Sequence, residues 1–128
     1  MRSVLLAAGL LLAATASHAA DPSVCPEAEA RFAKLGLARP DGPLVLLYKF
    51  TFCPPQMTVK AGATVTFVNV DPRTSHSVWF KDAGREESER FFPEDRWTTR
   101  FDTPGEYRYL CGPHWESDKM VGVLRVEK

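Results

Sequence analysis

Short apolar segments follow one another from residue 44 to the C-terminus, and turns that contain Gly or Pro separate them. In MTVKAGATVTFVNVDP (57–72), for example, apolar and polar residues alternate on both sides of a turn at Gly62. Segments of about five to seven residues with this alternation predict strands of a β-sandwich or barrel. The predicted strand segments are 44–50, 57–72, 76–80, 97–101, 103–111 and 120–128. The polar stretch 81–90 is predicted to be a solvated connection.

The N-terminal part of the chain has a different character. Arg2 precedes an apolar run (4–14) and the small-residue stretch ASHA (16–19), which predicts a secretory signal peptide at 1–19, cleaved after Ala19. The run is too short to span a bilayer, and the alternative is a buried N-terminal helix. The segment 20–43 is predicted to hold a short helix at 25–36 and a linker, and the strands form a domain at 44–128.

The charge balance gives no sign of a strongly charged binding partner. The 16 basic and 16 acidic residues balance, and removal of the leader takes away only Arg2. A chain this close to neutral gives no reason to expect nucleic acid or an anionic membrane surface as a partner. We predict a monomer that is exported to the periplasm and has no membrane span once the leader is cleaved.

Three soft or borderline metal donors are crowded into YLCGPHWESDKM (109–120). Cys111 and His114 flank a Gly-Pro turn, and Met120 follows six positions later. Alternation in EYRYLC points Cys111 to the same face as two tyrosines, which we predict to be the inner one. A set of two histidines, one thiolate and a weak axial Met is typical of copper centres that transfer electrons. After leader cleavage, His76 is the only other histidine that could complete such a set.

Other interpretations of these residues remain open. A single Cys, His or Met is usually a core or surface residue, although all three together on one loop are harder to explain in that way. Structural zinc sites favour several cysteines and avoid thioethers. Cys111 and His114 could also form a nucleophile pair of a hydrolase, but no orienting acid is evident and Met120 would have no role.

Two stretches resemble the cupredoxins, in particular the plastocyanin/pseudoazurin group. One is FDTPGEYRYLCGPH followed by MVGVLRVEK, and the other is FCPPQMTVKAGATVTFVNVDPRTSHSVWF. The resemblance covers roughly residues 48–127. It implies an all-β, Greek-key β-sandwich with one type 1 copper ion, so that 44–128 would be a cupredoxin domain. Carried over by position, it implies His76, Cys111 and His114 as strong ligands and Met120 as the axial ligand.

The chain departs from this family pattern in three places. Five residues separate His114 from Met120, where relatives commonly have four or two. Ser77 replaces an Asn that ties the two ligand loops together, although its backbone N–H could still donate to the copper-binding sulfur. Cys53 stands where relatives often carry a small residue before Pro, and the family does not require the helix that carries Cys25. Against that pattern the two cysteines look like a disulfide that pins the helix to the sandwich edge, and two free thiols are the alternative. Met57 matches a core position of the family.

The resemblance implies a one-electron carrier rather than an enzyme. Its partners would be redox proteins such as a cytochrome, an oxidase or a dehydrogenase. In the family the second ligand histidine exposes its ring edge through an apolar patch, and Trp115 would either belong to that patch or cover the copper. The rival function is a copper-binding protein for periplasmic copper tolerance or sequestration.

Overall fold

The computed structural model describes residues 21–128, so the leader predicted for 1–19 lies outside the described residues. The strands are β1 (Leu44–Tyr48), β2 (Thr51–Cys53), β3 (Gln56–Lys60), β4 (Thr64–Asn69), β5 (Arg96–Arg100), β6 (Gly105–Leu110) and β7 (Val121–Glu127). The α-helices are α1 (Cys25–Leu35) and α2 (Trp115–Asp118), and short 3-10 helices occupy Pro22–Val24 and Lys81–Ala83. Within residues 21–128, no helix has the length and apolar character needed to cross a membrane.

The strands form two mixed sheets. One has the order β2-β1-β4-β5 and the other β3-β7-β6. The pairs β1–β4 and β3–β7 are parallel, and the other pairs are antiparallel. The chain changes sheets after β2, β3 and β5, so each sheet contains strands from distant parts of the sequence. The predicted all-β sandwich with a short N-terminal helix is confirmed.

Strand β1 is apolar throughout because both of its faces are buried. Val45 and Leu47 belong to the core between the two sheets. Leu46 points to the opposite face, where it packs in a second cluster with Ala28 and Phe32 of α1. The helix therefore covers the outer face of the four-stranded sheet and does not contribute to the central core.

A disulfide joins α1 to the sheet. Cys25, at the start of the helix, is bonded to Cys53 at the end of β2, with 5.3 Å between their Cα atoms. The predicted pairing is confirmed. It closes a loop of 28 residues in sequence and fixes the N-terminal segment to the edge strand β2.

Residues 76–80 do not form the predicted strand. His76 exchanges two backbone hydrogen bonds with Phe91, and Trp79 exchanges two with Leu110. Phe91 precedes β5 of one sheet, whereas Leu110 ends β6 of the other. The segment therefore makes one isolated bridge beside each sheet and does not pair along its length with either.

The strand predicted at 44–50 ends at Tyr48, because Lys49 and Phe50 form the turn between β1 and β2. Their φ angles are 45° and 56°. A type I′ hairpin turn needs positive φ at both central residues and usually contains Asn and Gly there. The Lys49 N–H donates a hydrogen bond to a carboxylate oxygen of Asp71, 3.2 Å away, which anchors the turn to the loop that precedes His76.

Candidate metal centre

One thiol and two imidazole nitrogens converge at one end of the sandwich. The Cys111 Sγ atom lies 3.7 Å from Nδ1 of His76 and 3.5 Å from Nδ1 of His114. One donor atom from each of the three residues lies within 4.8 Å of the others. Cys111 and His76 are fully buried and His114 is partly exposed. Cys111 is the free cysteine of the described residues.

Main-chain hydrogen bonds close the loop that carries Cys111, His114 and Met120. The Cys111 N–H donates to the Met120 carbonyl at 3.0 Å, and the His114 N–H donates to the Cys111 carbonyl at 3.1 Å. The five-residue spacer after His114 is taken up by the single turn α2. It ends at Lys119, whose φ is 54°. Met120 therefore returns beside Cys111, and its side chain is fully buried in the central core.

Ser77 connects the two segments of the site. Its backbone N–H donates to the Cys111 sulfur at 3.4 Å. Its hydroxyl oxygen accepts from the Gly112 N–H at 2.9 Å and lies 2.6 Å from a Glu87 carboxylate oxygen. A hydroxyl has one proton to donate, so the bond to Glu87 leaves the oxygen lone pairs free for Gly112. The short Ser side chain thus joins the two loops.

Glu87 was missed because it lies in the polar stretch 81–90, which was predicted to be a solvated connection. The carboxylate of Glu87 packs so closely on the next loop that a Cβ atom at position 112 would lie 1.8 Å from its Oε1. A side chain at position 112 would therefore displace the Glu87 carboxylate from its place beside Ser77.

We expect Ser77→Ala to loosen the loop that carries Cys111 and to lower the free energy of unfolding by about 1 kcal/mol, because the Gly112 N–H loses its acceptor. Amide hydrogen exchange at Gly112 should become faster, and chemical denaturation gives the change in stability. The backbone N–H of Ser77 is retained, so the bond to the sulfur should remain. Ser88→Ala is the matched control, since that hydroxyl bonds to Val78 and Glu89 instead. Unchanged exchange at Gly112 would contradict the prediction.

Burial shifts the pKa values of two donor groups toward their neutral forms. It raises the pKa of the Cys111 thiol, and the hydrogen bond from the Ser77 backbone opposes this shift. It lowers the pKa of His114, and the neighbouring His76 acts in the same direction. A neutral imidazole can bind a metal directly, whereas a thiol must release its proton when a metal binds.

Asp71 contacts the ring nitrogen of His76 that faces away from the thiol. Its Oδ2 atom lies 2.6 Å from Nε2 of His76. A carboxylate accepts hydrogen bonds only, so this contact places the ring proton on Nε2 and leaves the Nδ1 lone pair directed at Cys111. Asp71 was missed because DPRTS (71–75) has the composition of an ordinary turn.

The aromatic ring that contacts His114 belongs to Phe50. The two ring centroids are 4.9 Å apart in an edge-to-face arrangement, and Phe50 is 38% exposed. Trp115 lies near Lys81, whose Nζ is 5.6 Å from the centre of the indole. Phe50 was missed because its segment was predicted to continue as a strand, and the docking role of Trp115 stays a prediction.

Residues 47–127 match the profile of a family described as copper binding proteins, plastocyanin/azurin family. The chain belongs to this family. The resemblance to the cupredoxins is thus confirmed, and with it the copper cofactor. The donor set of this cupredoxin agrees with that metal, since two imidazoles and a buried thiol suit copper.

Two relatives are similar in sequence to part of this cupredoxin. It is 34% identical to amicyanin-alpha of Methylorubrum extorquens over 55% of its own length and 61% of that protein. It is also 34% identical to the chloroplastic plastocyanin of Tetradesmus obliquus, over 59% of its own length and 58% of that protein. The chain thus spans about three fifths of the length of these two relatives.

Solved structures share the fold. The crystal structure of amicyanin from Paracoccus versutus superimposes with a TM-score of 0.62 at 29% identity, over 72% of this chain and 87% of that one. A copper-containing nitrite reductase from Thermus scotoductus gives a TM-score of 0.61 at 27% identity. This cupredoxin covers only 23% of the reductase chain, so the likeness concerns one part of a larger enzyme.

Proposed function

We propose that this cupredoxin is a periplasmic carrier of single electrons and that it turns over no substrate. His76, Cys111 and His114 would be the strong ligands of one copper ion, and Met120 would be the axial ligand. When bound, copper supplies a one-electron couple between Cu(I) and Cu(II). The observation that carries the proposal is the convergence of one donor atom from each of Cys111, His76 and His114 within 4.8 Å.

The surroundings of the donors favour electron transfer because they hold the donors in place. Cys111 is fixed by two hydrogen bonds: its N–H donates to the Met120 carbonyl, and its sulfur accepts from the Ser77 N–H. His76 is fixed by two backbone bonds to Phe91 and by the carboxylate of Asp71. Donors that cannot move far give little rearrangement between the two oxidation states, and this keeps the barrier to electron transfer low.

Burial of Cys111 speaks against the hydrolase interpretation. The thiol has no exposed surface, and its pKa is raised by that burial. A nucleophilic cysteine needs access to the substrate and an environment that favours the thiolate. The thiol is therefore better suited to a metal than to a substrate.

We further propose that electrons leave through the partly exposed ring of His114. Phe50 supplies an exposed apolar surface directly beside that ring, and Trp115 follows it in sequence. Redox proteins usually meet through small, transient interfaces. The balance of 16 basic and 16 acidic residues provides little long-range steering, so partners such as a cytochrome, an oxidase or a dehydrogenase would be selected by local contacts.

The contact of Phe50 with His114 also favours a second candidate function. A ring placed edge-on against this histidine partly covers the site, as expected for a protein that retains copper. Copper tolerance or sequestration would then be the role, and electron exchange with other proteins would be slow.

Electron self-exchange distinguishes the two functions. If the protein is a carrier, NMR line broadening in mixtures of the reduced and oxidised forms should show fast self-exchange. Phe50→Lys and Trp115→Lys should each slow it by about tenfold or more, because two added charges would face each other at the contact. Thr103→Lys is the matched control, since it adds the same charge before β6, at the opposite end of that strand from Cys111.

The visible spectrum of these variants should stay nearly unchanged, because none of the three residues belongs to the proposed ligand set. Slow self-exchange in the unmodified protein, together with poor growth in excess copper when the gene is deleted, would instead support the copper-tolerance role.

A further inference from the structure

Asp71 places a buried negative charge directly behind one of the histidines of the site. His76 is completely buried, and Asp71 is only 6% exposed. Their side chains are joined by the 2.6 Å contact between Nε2 and Oδ2. Asp side chains are rarely buried to this extent without a specific partner, and here that partner is the ring of His76.

The carboxylate is held on several sides. Its second oxygen, Oδ1, accepts the Lys49 N–H from the β1–β2 turn. The Asp71 N–H donates to the side-chain oxygen of Asn69, and the Asn69 amide nitrogen donates to the carbonyls of Thr74 and Phe91. Both carboxylate oxygens therefore have defined partners, and the position of the charge relative to His76 is fixed.

We propose that Asp71 is a positioning residue that lowers the reduction potential of the copper centre. Its carboxylate accepts a hydrogen bond from the Nε2–H of His76, which would direct Nδ1 at the metal. It also adds a fixed negative charge that would favour Cu(II) over Cu(I). The proposal rests on the ligand set given under Proposed function. Oxidation of Cu(I) to Cu(II) would release one electron, which would reduce the oxidised centre of the redox partner.

Burial makes this charge effective. Water and salt screen an exposed charge strongly but screen a buried one much less. The chain contains a natural comparison, because the Asp118 N–H donates a hydrogen bond to the His114 carbonyl but the Asp118 side chain lies on the surface in α2. Loss of one negative charge should therefore raise the reduction potential strongly at position 71 and only slightly at position 118.

The experiment is voltammetry of the copper-loaded full chain with four substitutions. Asp71→Asn removes the charge and retains an oxygen that can accept from His76, and Asp71→Ala removes both. Asp71→Ser is a second neutral replacement, so the comparison does not depend on one variant folding. Asp118→Asn is the matched control for charge. We expect Asp71→Asn to reduce the preference for Cu(II) over Cu(I) at least tenfold, a rise in potential of about 59 mV for one electron, and Asp118→Asn to change it much less.

A second readout does not need copper. In the metal-free protein, the Nε2–H of His76 should be visible by nitrogen-15 NMR as a slowly exchanging ring proton, and Asp71→Ala should abolish that protection. A potential that shifts no further in Asp71→Asn than in Asp118→Asn would overturn the proposal, even with the visible copper band intact. Absence of that band in the unmodified protein would instead refute the ligand set, so the two failures are distinguishable.

Discussion

Replacement of Cys111 by Ser is expected to abolish the intense visible absorption of the copper-loaded protein. That absorption would arise from charge transfer between the Cys111 thiolate and Cu(II), because Cys111 is the free cysteine of the described residues. A serine hydroxyl in the same buried place, with the Ser77 N–H directed at it, cannot supply an equivalent donor. The measurement is the visible spectrum after addition of one equivalent of Cu(II), and the remaining fold can be checked by circular dichroism.

Met120→Leu is the matched control, because it removes the proposed axial sulfur and keeps a buried apolar side chain in the core. The visible band should persist in this variant, and the reduction potential of the copper should shift. A weak axial ligand tunes the potential but does not hold the metal alone. A colourless Cu(II) complex of the unmodified protein would contradict this account. So would a protein that retains zinc in preference to copper.

Loss of the disulfide is expected to cause the largest change in stability. The double substitution Cys25→Ser and Cys53→Ser opens a loop of 28 residues, which the chain-entropy account values at about 3–4 kcal/mol. Urea denaturation of the metal-free protein should show this loss of unfolding free energy. The variant should still give the visible copper band, because α1 packs on the face of the sheet remote from the central core that contains Cys111.

Thiol titration provides the companion test. In denaturant, the exported protein should show one reactive thiol, which is Cys111. Two or three reactive thiols would contradict the pairing seen in the structure, as would a loss of stability below about 1 kcal/mol in the double variant, because the chain-entropy account requires much more.

The residues of the candidate site could be predicted because their metal-binding chemistry can be recognised without knowledge of the fold. Cys111, His114 and Met120 lie within ten positions of one another, and His76 is the only other candidate histidine once the leader is removed. The period-two alternation of EYRYLC (106–111) also predicted that Cys111 is on the inner face, and its side chain lies in the central core. These signals depend on short stretches of the sequence, so they can be recognised without the structure.

The residues that surround the donors could not be predicted because their roles depend on contacts across the fold. Glu87 reaches Ser77 from a charged loop that has the composition of solvent-exposed chain. Phe50 ends the segment LVLLYKF, which predicts a strand over 44–50, but strand β1 ends two residues earlier, at Tyr48. Asp71 precedes Pro72 in a typical turn sequence, and only the folded chain brings its carboxylate onto His76.

The β1–β2 hairpin shows that this sequence is not optimised for stability alone. Lys49 and Phe50 both adopt the left-handed conformation, which costs an ordinary residue roughly 1–2 kcal/mol. Selection for thermal stability alone would therefore favour Asn-Gly in this turn. That substitution would remove the Phe50 ring that contacts His114. Stabilised versions of this protein should accordingly be screened for electron exchange as well as for melting temperature, because the easiest gain in robustness lies directly beside the metal centre.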